Sequence, residues 1–406
     1  MATDSVDRVK SPMPNARRAW TVLGLGVAAQ TAGTVFVSAP AFLIPLLHTE
    51  RGLSLAEAGL LASTPTIGMV LTLVAWGALA DRIGERWVIA GGLALTSLAA
   101  LGAVVAQGYI GLGIFFLLGG MASASTNAAS GRVVVGWFPK DRRGLAMGIR
   151  QTCQPLGVTI AALTIPPVAS SAGVGSALLL PLVMTAVLAV ACAIGIVNPP
   201  RAPRVADATS TLAQNPYRSS AFLWRIHAAS ALLVVPQFTL SIFGLVWLVT
   251  AVHLSALTAG LLVGVAQFVG AMGRVAVGVL SDRVSSRVRP LRWVAIAAGG
   301  SLLVLAAVDS AGWGVAAVVF VVATTASVID NGLAFTSVAE MAGPGWAGRA
   351  LGAQNTGQFI IASAVGPVIG ALIGLVGYPI AFAVTAVFPA IAVPLIPRGD
   401  AEYDRL

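Results

Sequence analysis

Long apolar runs, broken only by short polar stretches, recur along the whole chain. Twelve of them lie at 20–47, 55–79, 87–106, 109–137, 144–169, 174–197, 221–250, 255–281, 291–308, 312–340, 349–375 and 377–397. A helix needs about 20 apolar residues to cross a hydrocarbon core, so each run predicts one crossing. A membrane β-barrel would alternate apolar with polar residues over short segments, and these runs do not. What remains is a tail at 1–19, a central segment at 198–220 that holds Pro199, Pro200 and Pro203, and a tail at 398–406. None of these is large enough for a soluble domain. The pattern predicts an all-α integral membrane protein of twelve transmembrane helices, with its function inside the helix bundle.

Composition points the same way. Only 10% of residues are charged and 57% are apolar, with a mean hydropathy of +0.90, whereas a soluble domain carries about 25% charged residues. The net charge of +9 would fit a nucleic-acid surface if it were gathered on one face, but its distribution argues otherwise. With the N-terminus in the cytoplasm, twelve crossings put 20 of the 24 basic residues on the inner side. Arg51 falls outside, and Arg132, Arg150 and Arg274 fall within runs. This positive-inside bias predicts a multi-pass protein of the plasma membrane, both termini cytoplasmic, in contact with membrane lipid and with no nucleic-acid partner. Arg17 and Arg18 precede the first run as they would a secretory signal. Its 28 residues exceed a signal's apolar region of about 7–15, so it reads as a retained first helix.

The chain also matches itself. Gly77, Ala78, Leu79, Ala80, Asp81 and Arg82 recur as Gly278, Val279, Leu280, Ser281, Asp282 and Arg283, at an offset of 201. Gly148 to Gln154 is echoed by Gly352 to Gln358 at an offset of 204, and Asn127 pairs with Asn331 at the same spacing. Such self-similarity signals duplication: one six-helix unit at 20–197, a polar linker at 198–220 and a second unit at 221–397. At Gly77, Leu79, Ala80, Asp81, Arg82, Gly84 and Arg86 the sequence resembles the major facilitator superfamily, whose Gly-x-Leu-Ala-Asp-Arg-x-Gly-x-Arg signature joins the second and third helices. A degenerate copy runs from Gly278 to Arg289. The resemblance implies two pseudo-symmetric six-helix bundles and secondary transport by alternating access. A carboxylate among arginines at helix ends can form charge-assisted hydrogen bonds that hold one conformation and release in another. Gly77, Asp81, Arg82, Arg86, Asp282 and Arg283 are therefore expected at a cytoplasmic gate. Arg132 and Glu340, each within two turns of a cytoplasmic helix end, join them.

A charged side chain at the bilayer centre costs about 2.5–3.5 kcal/mol on insertion scales, so charges retained there line a cavity or pair. Arg150 lies in the fifth helix with Gln154 at i+4 on the same face, and Arg274 lies in the eighth, two turns before Asp282. The resemblance makes those helices neighbours across the two halves and brings both arginines to one side of a central cavity. Asp330 is the only carboxylate so deep. It reads as a proton-coupling group or a counter-charge to an arginine, with helix packing as the alternative. The resemblance further implies that helices one, four, seven and ten line the cavity. That adds Gln30, Thr34, Asn127, Gln237 and Asn331 as substrate-binding candidates, and the repeat of Arg150 and Gln154 adds Gln354 and Gln358.

These residues favour a secondary transporter of a small solute, an organic anion among the options, working by a rocker-switch with proton coupling or by exchange. Drug or metabolite efflux by proton antiport is the alternative. Gly366, Pro367 and Gly370 resemble an antiporter signature, but the glycine expected before Pro155 is Gln154, and helix four offers Phe115, Phe116 and Leu117 where drug antiporters carry an arginine. A membrane-embedded enzyme would need clustered catalytic groups. No His-Glu-x-x-His or nucleotide-binding motif occurs, His48, His227 and His253 lie near separate helix ends, and Cys153 and Cys192 fall inside helices. The expectation is a transporter with no cofactor and no metal, whose partner is its small-molecule substrate and which is functional as a monomer.

Overall fold

The computed structural model describes residues 16–50, 52–106, 108–138, 146, 149–198, 215–284 and 286–398. The tail at 1–15, most of the linker (199–214) and the tail at 399–406 lie outside them. Among the described residues every regular element is a helix: α1 (Ala16–Thr49), α2 (Leu55–Ile83), α3 (Glu85–Val105), α4 (Gly108–Trp137), α5 (Cys153–Gly195), α6 (Pro216–Ser219), α7 (Phe222–Thr250), α8 (Ala256–Arg283), α9 (Val288–Ser310), α10 (Ala316–Val328), α11 (Asp330–Thr385) and α12 (Val387–Leu395).

The helix ends have local causes. At the start of α2 the Ser54 side chain accepts from the Glu57 N–H while the Glu57 carboxylate accepts from the Ser54 N–H at 2.9 Å, a reciprocal cap that satisfies two orphan donors. Gly84 turns α2 into α3 with φ 88°, a torsion that favours glycine; a Cβ there would also lie 2.3 Å from the Asn198 side chain. The signature glycine is thus a steric requirement of the turn.

Among the described residues ten helical stretches are long and apolar enough to cross a membrane, and two of them, Ile149–Gly195 and Arg349–Leu395, span 47 residues each. At about 1.5 Å per residue such a helix would run roughly 70 Å, over twice a hydrocarbon core of about 30 Å. Each carries a positive-φ glycine midway, Gly173 (φ 85°) and Gly377 (φ 79°), where one crossing hands over to the next. Ten helical stretches therefore supply twelve crossings.

The apolar cores reveal how the two halves meet. One core joins Phe36, Leu43, Phe116 and Ile165 of the first half to Leu240, Trp247, Val263 and Phe320 of the second. Another seats Ile44 and Leu55 against Phe243, Val246, Ile369 and Ile373. At the end of the molecule carrying the arginine-rich loops the cores separate. Val22, Val88, Val133 and Cys192 pack within the first half, and Phe222, Leu291, Leu333 and Ile396 pack within the second. Glycines mark the same division. A Cβ on Gly59 of α2 would meet the Gly366 carbonyl of α11 at 2.2 Å, one on Gly370 would meet the Leu55 carbonyl at 2.3 Å, and one on Gly260 of α8 would meet the Ala162 carbonyl of α5 at 2.2 Å. Toward the arginine-rich end of α8 and α11, a Cβ on Gly278, Gly352 or Gly357 would meet nothing within 4 Å. The halves enclose a crevice that opens at the arginine-rich face and is shut at the opposite one.

Candidate functional site

Each half holds a buried polar network on repeat-related residues. In the first, Gln30 Nε2 of α1 donates to Asn127 Oδ1 of α4 at 2.8 Å, Ser130 Oγ donates to Gln30 Oε1 at 3.0 Å, and Arg150 Nε donates to Ser130 Oγ at 2.9 Å. In the second, Asn331 Nδ2 donates to Gln237 Oε1 of α7 at 3.0 Å, while Gln358 Nε2 of α11 donates to Asn331 Oδ1 at 2.9 Å and to Ser230 Oγ at 2.6 Å. A glutamine–asparagine bond joins the first and fourth helices of each half, Gln30 to Asn127 and Gln237 to Asn331. Buried polar groups without partners are costly in so apolar a setting, and these pairs satisfy one another. Of the other candidates, Thr34 Oγ1 donates to the Gln30 carbonyl of its own helix at 2.9 Å. Gln154 is half-buried and makes no side-chain hydrogen bond among the described residues.

The charges behave differently. Asp330 is 2% exposed, and neither carboxylate oxygen has a hydrogen-bond partner among the described residues. The run 312–340 predicts one helix, and Ala316–Ala342 is continuous as one span, with Ile329 between α10 and α11 keeping helical torsions (φ −75°, ψ −29°). Beside Asp330, Arg274 Nε donates to the Val328 carbonyl at 2.7 Å, and Arg274 and Asp330 lie within electrostatic reach of each other. Cys153, fully buried at the start of α5, is within reach of both Arg150 and Arg274. Arg150, three residues before Cys153, and Arg274 of the other half are thus both within electrostatic range of one buried side chain.

A family model described as Major Facilitator Superfamily matches residues 23–367. The chain belongs to the Major Facilitator Superfamily. Over 382 residues, 94% of this chain and 85% of the relative, it is 49% identical to the uncharacterized MFS-type transporter Rv2994 of Mycobacterium tuberculosis (strain ATCC 25618 / H37Rv). It is 28% identical over 123 residues to the hexuronate transporter of Bacillus subtilis (strain 168), covering 30% of this chain and 29% of that one. The crystal structure of a bacterial homolog to the human lysosomal transporter Spinster, inward-facing and unoccupied, shares its fold with a TM-score of 0.77 at 16% identity, over 94% of this chain and 97% of that one. As a member of the Major Facilitator Superfamily the chain is a multi-pass membrane transporter rather than an enzyme.

The residues that match the superfamily signature lie at the arginine-rich face. Gly77 is near the end of α2, and Arg82 and Arg283 are exposed at the ends of α2 and α8. The side chains of Asp81, Arg132 and Asp282 lie outside the described residues. Arg86 turns inward within its own half: its Nε donates to the Ala193 carbonyl at 2.6 Å and its N–H donates to Asn198 Oδ1 at 2.9 Å, tying down the end of α5. In the second half Arg292, near the start of α9, donates likewise to the Ile396 and Pro397 carbonyls at 3.0 and 2.7 Å beyond α12. Glu340 pairs with Arg287 at 3.3 Å, also within one half. Arg287, Ser130, Ser230 and His227 escape sequence reasoning. A signal for two of them exists, since His227, Ser230 and Gln237 recur at three- and seven-residue spacings on one face of α7.

Proposed function

We propose that the chain carries a small organic anion across the plasma membrane, both termini in the cytoplasm, together with a proton taken up by Asp330. The observation that carries this reading is buried Arg274 within electrostatic reach of an Asp330 carboxylate that has no hydrogen-bond partner among the described residues, with Arg274 and Arg150 of the other half both in range of buried Cys153. An arginine held away from water calls for a counter-anion. Protonated Asp330 leaves the charge of Arg274 to the substrate. Deprotonated Asp330 neutralises Arg274 and weakens its hold, so anion and proton bind and leave together. Gln30, Thr34, Asn127, Gln154, Gln237, Asn331, Gln354 and Gln358 surround the site with donors and acceptors suited to hydroxyl groups. Gly77, Asp81, Arg82, Arg86, Arg132, Asp282, Arg283 and Glu340 form the gate at the cytoplasmic face. The hexuronate named for the Bacillus subtilis relative is an anion of this class. A single chain carries both halves and is the functional unit.

The test begins with a thermal-shift screen of the purified protein against carboxylates, glucuronate included, and against uncharged sugars. Saturation at a hundred times Kd stabilises by about 2.7 kcal/mol. Arg274→Ala removes a hydrogen bond to a charged group, so KM for the carboxylate in proteoliposomes rises roughly ten- to hundredfold while uptake of a neutral solute is unaffected. Equal loss for both solutes, or a screen in which no carboxylate stabilises the protein, overturns the reading.

A further inference from the structure

Tyr217 belongs to α6, the short helix of the linker. Pro216 opens that helix, and the Asn215 side chain accepts from the Tyr217 N–H at 3.0 Å. The ring is held against the second half, 5.1 Å from Trp224, 6.3 Å from Trp346 and stacked on His227 at 5.7 Å with 21° between planes. Its hydroxyl meets His227 Nε2 at 2.9 Å. On the other side of the imidazole, His227 Nδ1 makes a short hydrogen bond to Gln354 Oε1. Gln354 is 2% exposed, and its amide Nε2 has no partner among the described residues. One turn further along α11, Gln358 closes the network with Ser230 and Asn331. Gln354 also occupies the position that the repeat assigns to Arg150, at an offset of 204. The two residues therefore bring N–H donors from opposite sides of the pseudo-twofold axis.

For a neutral imidazole the chain of bonds has one consistent proton arrangement. The Gln354 carbonyl oxygen can only accept, so Nδ1 carries the imidazole proton. Nε2 of the neutral ring is then bare and can only accept, which makes the Tyr217 hydroxyl its donor. Partial burial pushes the Tyr217 phenol above its ordinary range, so that proton stays in place at neutral pH. Without the hydroxyl the ring is free to exchange tautomers. A bare Nδ1 would accept from the Gln354 amide, and the flipped side chain would offer its carbonyl oxygen where the N–H now stands.

We infer that His227 is a positioning residue: held in its Nδ1–H tautomer by Tyr217 of the linker, it keeps the buried and unpartnered Gln354 amide N–H in place to donate to the carboxylate of the substrate. This rests on the reading of the crevice as an anion site. It makes the linker a determinant of affinity, since the residue that fixes the tautomer lies outside the transmembrane helices.

The experiment uses the full chain in lipid nanodiscs and proteoliposomes, with the carboxylate that gives the largest thermal shift as probe. Solid-state NMR of protein labelled with ¹⁵N-histidine reads the tautomer, and His227→Gln identifies which of the three histidine signals belongs to His227. The wild type shows the proton on Nδ1, and Tyr217→Phe moves it wholly or partly to Nε2. The same variant raises KM for the carboxylate roughly two- to tenfold, the worth of one neutral hydrogen bond, with kcat and melting temperature unchanged. A wild-type ring protonated on Nε2, or an unchanged KM in Tyr217→Phe, overturns the inference while leaving the anion reading intact. If no carboxylate binds the wild type, the anion reading falls and takes this one with it.

Discussion

Asp330 and Arg274 are unlike the polar residues around them. Gln30, Asn127, Gln237, Asn331 and Gln358 bond to one another across helices, but the Asp330 carboxylate bonds to nothing described, and the nearby arginine has turned to a backbone carbonyl. A buried charged group without a partner calls for an explanation, and a bound proton or solute would supply one at Asp330. Asp330→Asn keeps the shape and removes the titration. It is predicted to abolish accumulation of the carboxylate against its gradient under an imposed pH difference while preserving exchange of labelled for unlabelled solute. Both are measured in the same proteoliposomes, and accumulation at the wild-type level would return Asp330 to a packing role. Arg150, Arg274, Asp330 and the buried glutamines and asparagines stood out in the sequence because a polar residue inside an apolar run is costly enough to need a reason, but the bonds between the glutamines and asparagines did not. Nor did Ser130, Ser230 and His227. A hydroxyl in a membrane helix usually bonds its own preceding turn, as Thr34 and Thr96 do. Whether it reaches a neighbour instead depends on how two helices are rotated, which one chain's sequence does not specify.

Helix ends could be read where the residue itself imposes the turn. The Ser54–Glu57 cap and the glycines at 84, 173 and 377 fall where the apolar runs stop. Glycine has a second use between elements, because small residues let membrane helices approach backbone to backbone. Gly59 against Gly366, Gly370 against Leu55 and Gly260 against Ala162 are such contacts, and all lie at the closed end. Gly59→Leu therefore penalises only conformations in which α2 touches α11 there. Over-packing of about 1–3 kcal/mol shifts the balance toward the open arrangement of that end by roughly five- to hundredfold. Transport should slow correspondingly while binding from the outer side persists. Gly300→Leu, at an exposed position of α9 with nothing within 4 Å of a Cβ, should leave the rate unchanged. Equal rates for both variants would mean that the glycine contact does not form the closure.

At the scale of the whole molecule, the distribution of cores decides which parts can move together. At the arginine-rich end each half packs on its own, and each fastens its last helix to itself, Arg86 holding the Ala193 carbonyl and Arg292 the carbonyls of Ile396 and Pro397. These duplicated ties make each half a closed body there, able to tilt without losing its own contacts. At the opposite end the halves share two cores, and these have to part when the crevice opens the other way. The resting protein should accordingly be accessible from one side. Cys153 and Cys192 are buried and unpaired, so a thiol introduced at exposed Gly352, where a Cβ meets nothing within 4 Å, is the one that a membrane-impermeant maleimide should reach. Labelling of Gly352→Cys is predicted in inverted membrane vesicles and not in intact cells. Combining it with Gly59→Leu should lower the labelling, because a wedge that opens the far end closes the near one. Labelling from both sides at once would mean a continuous pore, and labelling that ignores the wedge would mean that the two ends are not coupled.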